Sequence, residues 1–133
     1  MLSFFKMRGQ WGGAMFKIEF YETPDGRSEL LEFIDDLRMK AAASKDARIQ
    51  HKQIALYIQL LEDYGSRLPG NIAKHLEGDI WELRPGNNRI LYFYHKDNVY
   101  VLLHQFQKKT QKTPRRELQK AKAERDDWIA RKG

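Results

Sequence analysis

The sequence predicts an α+β domain in which a helical hairpin packs on a small antiparallel sheet with a C-terminal helix, in the order β-α-α-β-β-β-α. Three observations carry this reading: strict apolar and charged alternation near the N-terminus, two successive stripes of apolar residues at helical spacing, and β-branched and aromatic runs cut by turn residues. At 133 residues the chain has the length of one domain, and 41% hydrophobic residues suffice for a core, which excludes wholesale disorder.

The elements follow in order. Phe16, Ile18 and Phe20 alternate with Lys17 and Glu19, so one face of this first strand is buried, and Thr23-Pro24-Asp25-Gly26 turns the chain. From Arg27 to about Ala43 the positions Leu30, Ile34, Leu37 and Ala41 make an apolar helix face. Ser44 caps a second helix running to about Tyr64, with Ile54, Tyr57, Ile58, Leu61 and Tyr64 as its buried stripe and Gly65 as its stop. Two helices on a short link form a hairpin whose apolar edges need a sheet. That sheet is read from Ile80–Arg84, the turn Pro85–Asn88, the strand Arg89–His95, the turn Lys96–Asn98 and the strand Val99–Phe106. After a basic loop, Thr113 is the expected cap and Pro114 the first residue of a helix reaching about Ala130, with Leu118, Ala121, Arg125 and Trp128 or Ile129 as its inner edge. Residues 1–14, punctuated by Gly9, Gly12 and Gly13, stand apart as an N-terminal extension expected to be poorly ordered, with Met15 read as the natural start of a domain over 15–130.

Composition narrows the function. With no cysteine, the chain has no disulfide scaffold, thiolate zinc site, cysteine nucleophile or thiol switch. His51, His75 and His95 lack metal-ligand spacing with carboxylates, so neither a metal nor another cofactor is expected. No apolar run approaches the roughly 18 residues of a membrane span, and Lys6 and Arg8 interrupt any signal-peptide core, so the expected place is the cytoplasm, away from membranes. The net charge of +6 is concentrated: residues 1–103 carry 14 basic and 14 acidic side chains, residues 104–133 carry 10 and 4. A local cationic excess recruits polyanions, nucleic acid first among them, although a solvated helix or a site for an acidic protein has the same composition.

Two clusters refine this. A four-residue turn over Pro85–Asn88 sets Arg84 and Arg89 opposite each other on one sheet face, where like charges cost a few tenths to about 1 kcal/mol unless an anion offsets them. Forked guanidinium donors suit the oxygens of a phosphodiester. The plainer alternative pairs Arg84 with Glu82 or Glu77 and leaves Arg89 at a solvated turn. The second cluster, Lys108, Lys109 and Lys112, lies in the loop leaving the strand antiparallel to Arg89–His95, and is expected beside the arginines. Trp81, Tyr92, Phe93, Tyr94 and Tyr100 are candidates for stacking on bases or for the core, with Phe93 assigned to the core. Arg115, Arg116 and Lys120, together with Tyr92, are the candidate RNA-binding residues outside the two clusters.

The segments Phe16-Lys17-Ile18-Glu19-Phe20-Tyr21, Trp81-Glu82-Leu83-Arg84, Arg89-Ile90-Leu91-Tyr92-Phe93-Tyr94-His95-Lys96 and Phe106-Gln107-Lys108-Lys109-Thr110-Gln111-Lys112-Thr113-Pro114 together resemble the RelE/HigB-type toxins of toxin-antitoxin systems, in their phage-derived branch of the RelE/ParE superfamily. The resemblance spans Met15 to about Trp128. It implies a ribosome-dependent endoribonuclease that cuts mRNA, inhibits translation and is neutralised by a cognate helix-turn-helix antitoxin, reaching operator DNA only through that partner. By resemblance, Arg89 takes the place of the phosphate-contacting arginine, Arg84 that of a second basic position, and Lys108, Lys109 and Lys112 that of the basic segment after the last strand. Some family members use a tyrosine near the C-terminus, and this chain has none after Tyr100.

Metal-free RNA cleavage needs a base for the 2′-hydroxyl, cations for the phosphorane and a donor for the 5′-oxygen. Arg84 and Arg89 suit the phosphorane, a lysine of the loop suits the base or an electrostatic role, and His104 or Tyr92 is the candidate donor. Two other readings stay open: a ParE-like gyrase inhibitor and a non-catalytic module that binds nucleic acid or antitoxin.

Overall fold

The computed structural model describes residues 15–133, so the expectation of a poorly ordered extension lies outside the described residues. Strand β1 (Lys17–Phe20) leads to helices α1 (Glu29–Lys40) and α2 (Lys45–Tyr64), a short 3₁₀ turn (Gly65–Arg67), strands β2 (Ala73–Glu77), β3 (Ile80–Leu83), β4 (Asn88–His95) and β5 (Val99–Gln107), and helix α3 (Arg115–Lys132). The fold class is the expected α+β; Ser44 caps α2 as read, and Ser28, which the sequence places inside the first helix, instead caps α1. Ser28 and Ser44 accept hydrogen bonds from the Leu31 and Ala47 amides, each such cap being worth about 1 kcal/mol. Gly65 closes α2 at φ 56° and sends its N–H to the Leu61 carbonyl.

The sheet departs from expectation in two ways. Its order is β1-β5-β4-β3-β2, and β1 runs parallel to β5, so the sheet is mixed rather than antiparallel. Between β1 and β5 lie two helices and a meander, and a long connection of that kind permits a parallel return. The additional strand β2 pairs with β3 at the sheet edge, where Lys74 and His75 are exposed. An edge strand of this composition carries no apolar alternation to announce it.

Alternation along the strands divides the core into two layers. Leu83, Ile90, Tyr92, Tyr100 and Leu102 pack with Leu30, Ile34, Ile54, Ile58 and Leu61 of the hairpin. Ile80, Leu91, Phe93, Val101 and Leu103 pack on the other face with Leu118, Ala121 and Trp128 of α3. Each fully buried aliphatic or aromatic side chain contributes roughly 1.5–3 kcal/mol, so both layers are needed to hold the sheet. Tyr21 ties the far end of α3 to the sheet by donating to Asp127 at 2.8 Å, and burial together with that carboxylate raises its pKa. The aromatics divide the same way: Phe93 is in the core and meets Trp128 edge-on at 5.8 Å, as expected.

One irregularity matters for the site. Leu91 faces His104 and Tyr92 faces Leu102, so Leu103 is an extra residue on β5. Without the bulge His104 would share the face of Tyr100 and Leu102. With it, Leu103 packs in the α3 layer and His104 meets two glutamates of α3.

Candidate nucleic-acid interface

The site forms where the β3–β4 hairpin ends. Glu82 faces Leu91 and Leu83 faces Ile90, and carrying that register one pair further sets Arg84 opposite Arg89. Strand alternation then puts Glu82, Arg84 and Arg89 on the α3 side of the sheet. The Arg84 amide donates to the Ile72 carbonyl, which fixes the backbone beyond the ladder.

Arg89 is buried, which removes the solvated-turn alternative. Its Nη1 donates to the carbonyls of Gly86 at 2.9 Å and Asn88 at 2.8 Å, so the guanidinium is clamped against its own turn. Burial and the nearby Arg84 both pull its pKa down, and Glu82 opposes them. Arg84 is partly exposed, and its Nη1 reaches the Gly70 carbonyl at only 3.5 Å.

Glu82 is the residue that sequence reasoning offered only as one possible partner of Arg84, yet it organises the whole crevice. One carboxylate oxygen, Oε2, lies 3.5 Å from Arg84 Nε and 3.9 Å from Arg89 Nε. The other, Oε1, accepts from the Thr113 hydroxyl at 2.9 Å. The two guanidiniums are therefore neither splayed apart nor matched one-to-one with carboxylates. They share one buried anion at the long end of ion-pair distance, a geometry that leaves guanidinium donors for another anion. The signal that would have found this role is positional: Glu82 stands two residues before Arg84 on the same strand face.

The lysine loop joins the crevice at both ends. The Lys108 amide donates to the Asn87 carbonyl at 2.8 Å, and Thr113 reaches Glu82. Thr113 thus does not cap α3 as expected. Pro114, whose side chain has no hydrogen-bonding group, holds the N-cap position, and the Thr113 hydroxyl bonds the buried carboxylate instead. A cleft of about 620 Å³ opens here, between β2 on one side and Lys112, Thr113 and Arg115 on the other.

The cationic excess of residues 104–133 separates into paired and unpaired groups. Arg115 binds Glu77 through two contacts of 2.6 and 3.2 Å, Lys122 binds the same carboxylate, Lys120 binds Glu29 at 2.8 Å, and Arg125 binds Asp79. Arg115 and Lys120, read as RNA-binding, are each engaged by a carboxylate from another element while their side chains stay exposed. Arg116 is exposed, 3.9 Å from Glu117. Among the described residues Lys108, Lys109 and Lys112 make no ion pair, and Lys109 and Lys112 are exposed. Within residues 104–133 the loop beside the arginines thus holds three unpaired cations together, while most of those on α3 are engaged by carboxylates.

Two further expectations are corrected. His104 is 1% exposed, with Nδ1 2.6 Å from Glu124 and Nε2 2.9 Å from Glu117. Both ring nitrogens are taken up in holding α3 to the sheet, so the fold does not present His104 to a ligand. Tyr92 is 3% exposed on the opposite, hairpin face, and burial raises its pKa far above the ordinary phenol value. It forms the inner wall of an aromatic cleft of about 350 Å³ with Phe16, Trp81, Tyr94 and Tyr100. That cleft and the arginine crevice lie on opposite faces of the sheet. Among the described residues no group of His, Asp or Glu is placed to hold a metal ion, and no helix is long and apolar enough to cross a membrane.

The class defined by this arrangement is a small α+β protein whose mixed sheet is covered by a helical hairpin on one face and a single helix on the other, with an arginine-lysine crevice at one hairpin end. The chain belongs to the phage-derived Gp49-like family, described as "Phage derived protein Gp49-like (DUF891)", which residues 39–126 match. No curated protein matches it. Among solved structures it is similar to the archaeal RelE-RelB complex from Pyrococcus horikoshii OT3, at 16% identity and a TM-score of 0.48 over 69% of this chain and 93% of that one. It is also similar to the YoeB-YefM complex from Staphylococcus aureus, at 15% identity and a TM-score of 0.45 over 73% of this chain and 100% of that one. The YoeB dimer from the same organism gives 16% identity and a TM-score of 0.45, again over 73% and 100%.

Proposed function

We propose that this protein is the toxin of a toxin-antitoxin system, a metal-independent endoribonuclease that cuts mRNA on the ribosome in the cytoplasm and so inhibits translation. The observation that carries the proposal is the pair of guanidiniums gathered round the single carboxylate of Glu82, beside a loop of unpaired lysines. Membership of the phage-derived family and the resemblance of the strand and loop segments to RelE/HigB-type toxins support it. The same resemblance supports a cognate helix-turn-helix antitoxin as partner.

In this reading the scissile phosphodiester lies across Arg84 and Arg89, whose free donors bind its non-bridging oxygens. As the 2′-oxygen attacks phosphorus and the bond to the 5′-oxygen breaks, charge grows on those oxygens, where preorganised cations stabilise it most. The burial of Arg89 strengthens this interaction, since little water competes there. Glu82 and the Gly86 and Asn88 carbonyls hold the guanidiniums in place beforehand. With His104 and Tyr92 buried, the two proton transfers, from the 2′-hydroxyl and to the leaving 5′-oxygen, are assigned to the loop side chains Lys108, Lys109 and Lys112.

The test is to map mRNA 5′ ends in translating extracts with the wild-type chain and with Arg89→Ala. Cuts inside translated codons that vanish in the variant support the proposal. An intact message with DNA breaks in the presence of gyrase would instead support the ParE-like activity, and neither effect would leave a binding module.

A further inference from the structure

On the sheet face opposite the arginine crevice, the hairpin helices leave part of the strands uncovered, and Tyr94 is exposed there. Trp81 faces Tyr92 across β3 and β4, and Tyr94 faces Tyr100 across β4 and β5, so strand alternation gathers four rings on this face. Phe16, just before β1, adds a fifth, its ring resting where a Cβ of Gly65 would stand. Helix α2 stops at Tyr64, and Gly65, Ser66 and Leu68 after it close the other side of the cleft of about 350 Å³.

The rings stand as walls rather than as a flat stack. Tyr100 meets Phe16 at 5.3 Å, Tyr92 at 5.7 Å and Tyr94 at 5.1 Å, with interplanar angles of 69°, 68° and 66°, the edge-to-face geometry that aromatic pairs prefer. Tyr92 and Tyr100 are 3% and 5% exposed, both line the cleft, and neither hydroxyl has a hydrogen-bond partner among the described residues. Buried hydroxyls are normally paired. Burial and the neighbouring Tyr100 raise the Tyr92 pKa, so this hydroxyl keeps its proton and can donate it to an acceptor. Among the described residues no charged side chain lines the cleft, so it offers no counter-ion to an ionised ligand.

We infer that this cleft is a binding site for an uncharged, planar aromatic molecule of one or two rings that carries a hydrogen-bond acceptor for the Tyr92 hydroxyl. Its volume lies at the low end of the roughly 300–1,000 Å³ of small-molecule sites, which keeps the ligand small. Upright ring walls suit a flat π system. The unpaired phenol at the inner wall supplies the sparse polar contact by which an apolar site fixes a ligand's orientation. A quaternary ammonium would be drawn to the ring faces but would leave that hydroxyl unpaired. Water would pair the hydroxyl but gains nothing from five rings. Because Arg84 and Arg89 lie on the other face of the sheet, this site is separate from the proposed RNA site and does not rest on that reading.

The probe is coumarin, two fused rings with a carbonyl acceptor and no charge, titrated against the full chain at neutral pH by ligand-observed NMR, with benzyltrimethylammonium titrated in parallel. The wild type is expected to bind coumarin with a Kd of about 1 mM or below, and the ammonium about tenfold more weakly. Tyr92→Phe keeps the ring and removes the donor, so it should weaken coumarin about fivefold and leave the ammonium unchanged, a split that a merely structural role of the ring would not give. Tyr94→Ala, at the exposed rim, should weaken coumarin about tenfold by removing one wall. Thermal melts of both variants check that they fold. No saturable coumarin binding, coumarin binding that Tyr92→Phe leaves unchanged, or tighter binding of the ammonium than of coumarin overturns the assignment.

Discussion

Replacing Glu82 by Gln removes the one negative charge between two guanidiniums while keeping the shape of the side chain. Glu82 is 3% exposed, Arg89 is 6% exposed, and the carboxylate lies 3.5 and 3.9 Å from the two Nε atoms, so its removal leaves two cations facing each other out of bulk water. Breaking a buried pair costs about 3–5 kcal/mol, and the lower end applies because the Arg84 side chain keeps 23% of its surface in solvent. For a domain of this size, about 3 kcal/mol lowers Tm by about 10 °C. The same change strengthens the crevice as an anion site, since the competing carboxylate is gone. Inorganic phosphate should therefore restore much of the lost stability in Glu82→Gln, by about 2.7 kcal/mol at a hundred times its Kd, and do less for the wild type. Thermal unfolding followed by circular dichroism, with chloride at matched ionic strength as the control, reads both effects. A variant melting within about 2 °C of the wild type, or an equal response of both proteins to phosphate, would refute the idea that one carboxylate and a bound anion compete for these arginines.

Three other outcomes are expected. Replacing Lys108, Lys109 and Lys112 together by Ala should reduce the slope of log affinity against log salt for single-stranded RNA by about 2, at about 0.7 per phosphate contact, with little change in unfolding; an unchanged slope would show that the loop does not touch the strand. Arg115 and Lys122 hold the Glu77 carboxyl down at about 2, so its contribution to stability is present above the ordinary value near 4.5 and is lost as pH falls from there through 2. Relative to Glu77→Gln, wild-type Tm should fall across that window and match it below, which a pH series of melts would detect. Gly65→Ala should destabilise by about 1–3 kcal/mol in a urea titration, because φ is 56° there and the new methyl would run into the Phe16 ring.

Local signals made much of the molecule legible. Ser44 and Gly65 mark the ends of α2 because capping is chemistry between near neighbours, and the even and odd positions of β4 and β5 sort themselves between the two core layers because side chains alternate along a strand. The excess of cations after residue 103 was equally plain. Which of those cations stay unpaired was not, since Glu29, Glu77 and Asp79, the carboxylates that engage Lys120, Arg115, Lys122 and Arg125, come from distant parts of the chain. Long-range pairing also decided the parallel return of β1 onto β5 and the edge strand β2. A single inserted residue, Leu103, turned His104 from a candidate proton donor into a buried tie between the sheet and α3. Tertiary packing likewise drew Thr113 from its cap to Glu82 and made that glutamate the centre of the crevice. Periodicity and caps are properties of neighbours in the chain, whereas the fate of a charge depends on what the fold sets beside it, and only the assembled structure settles that.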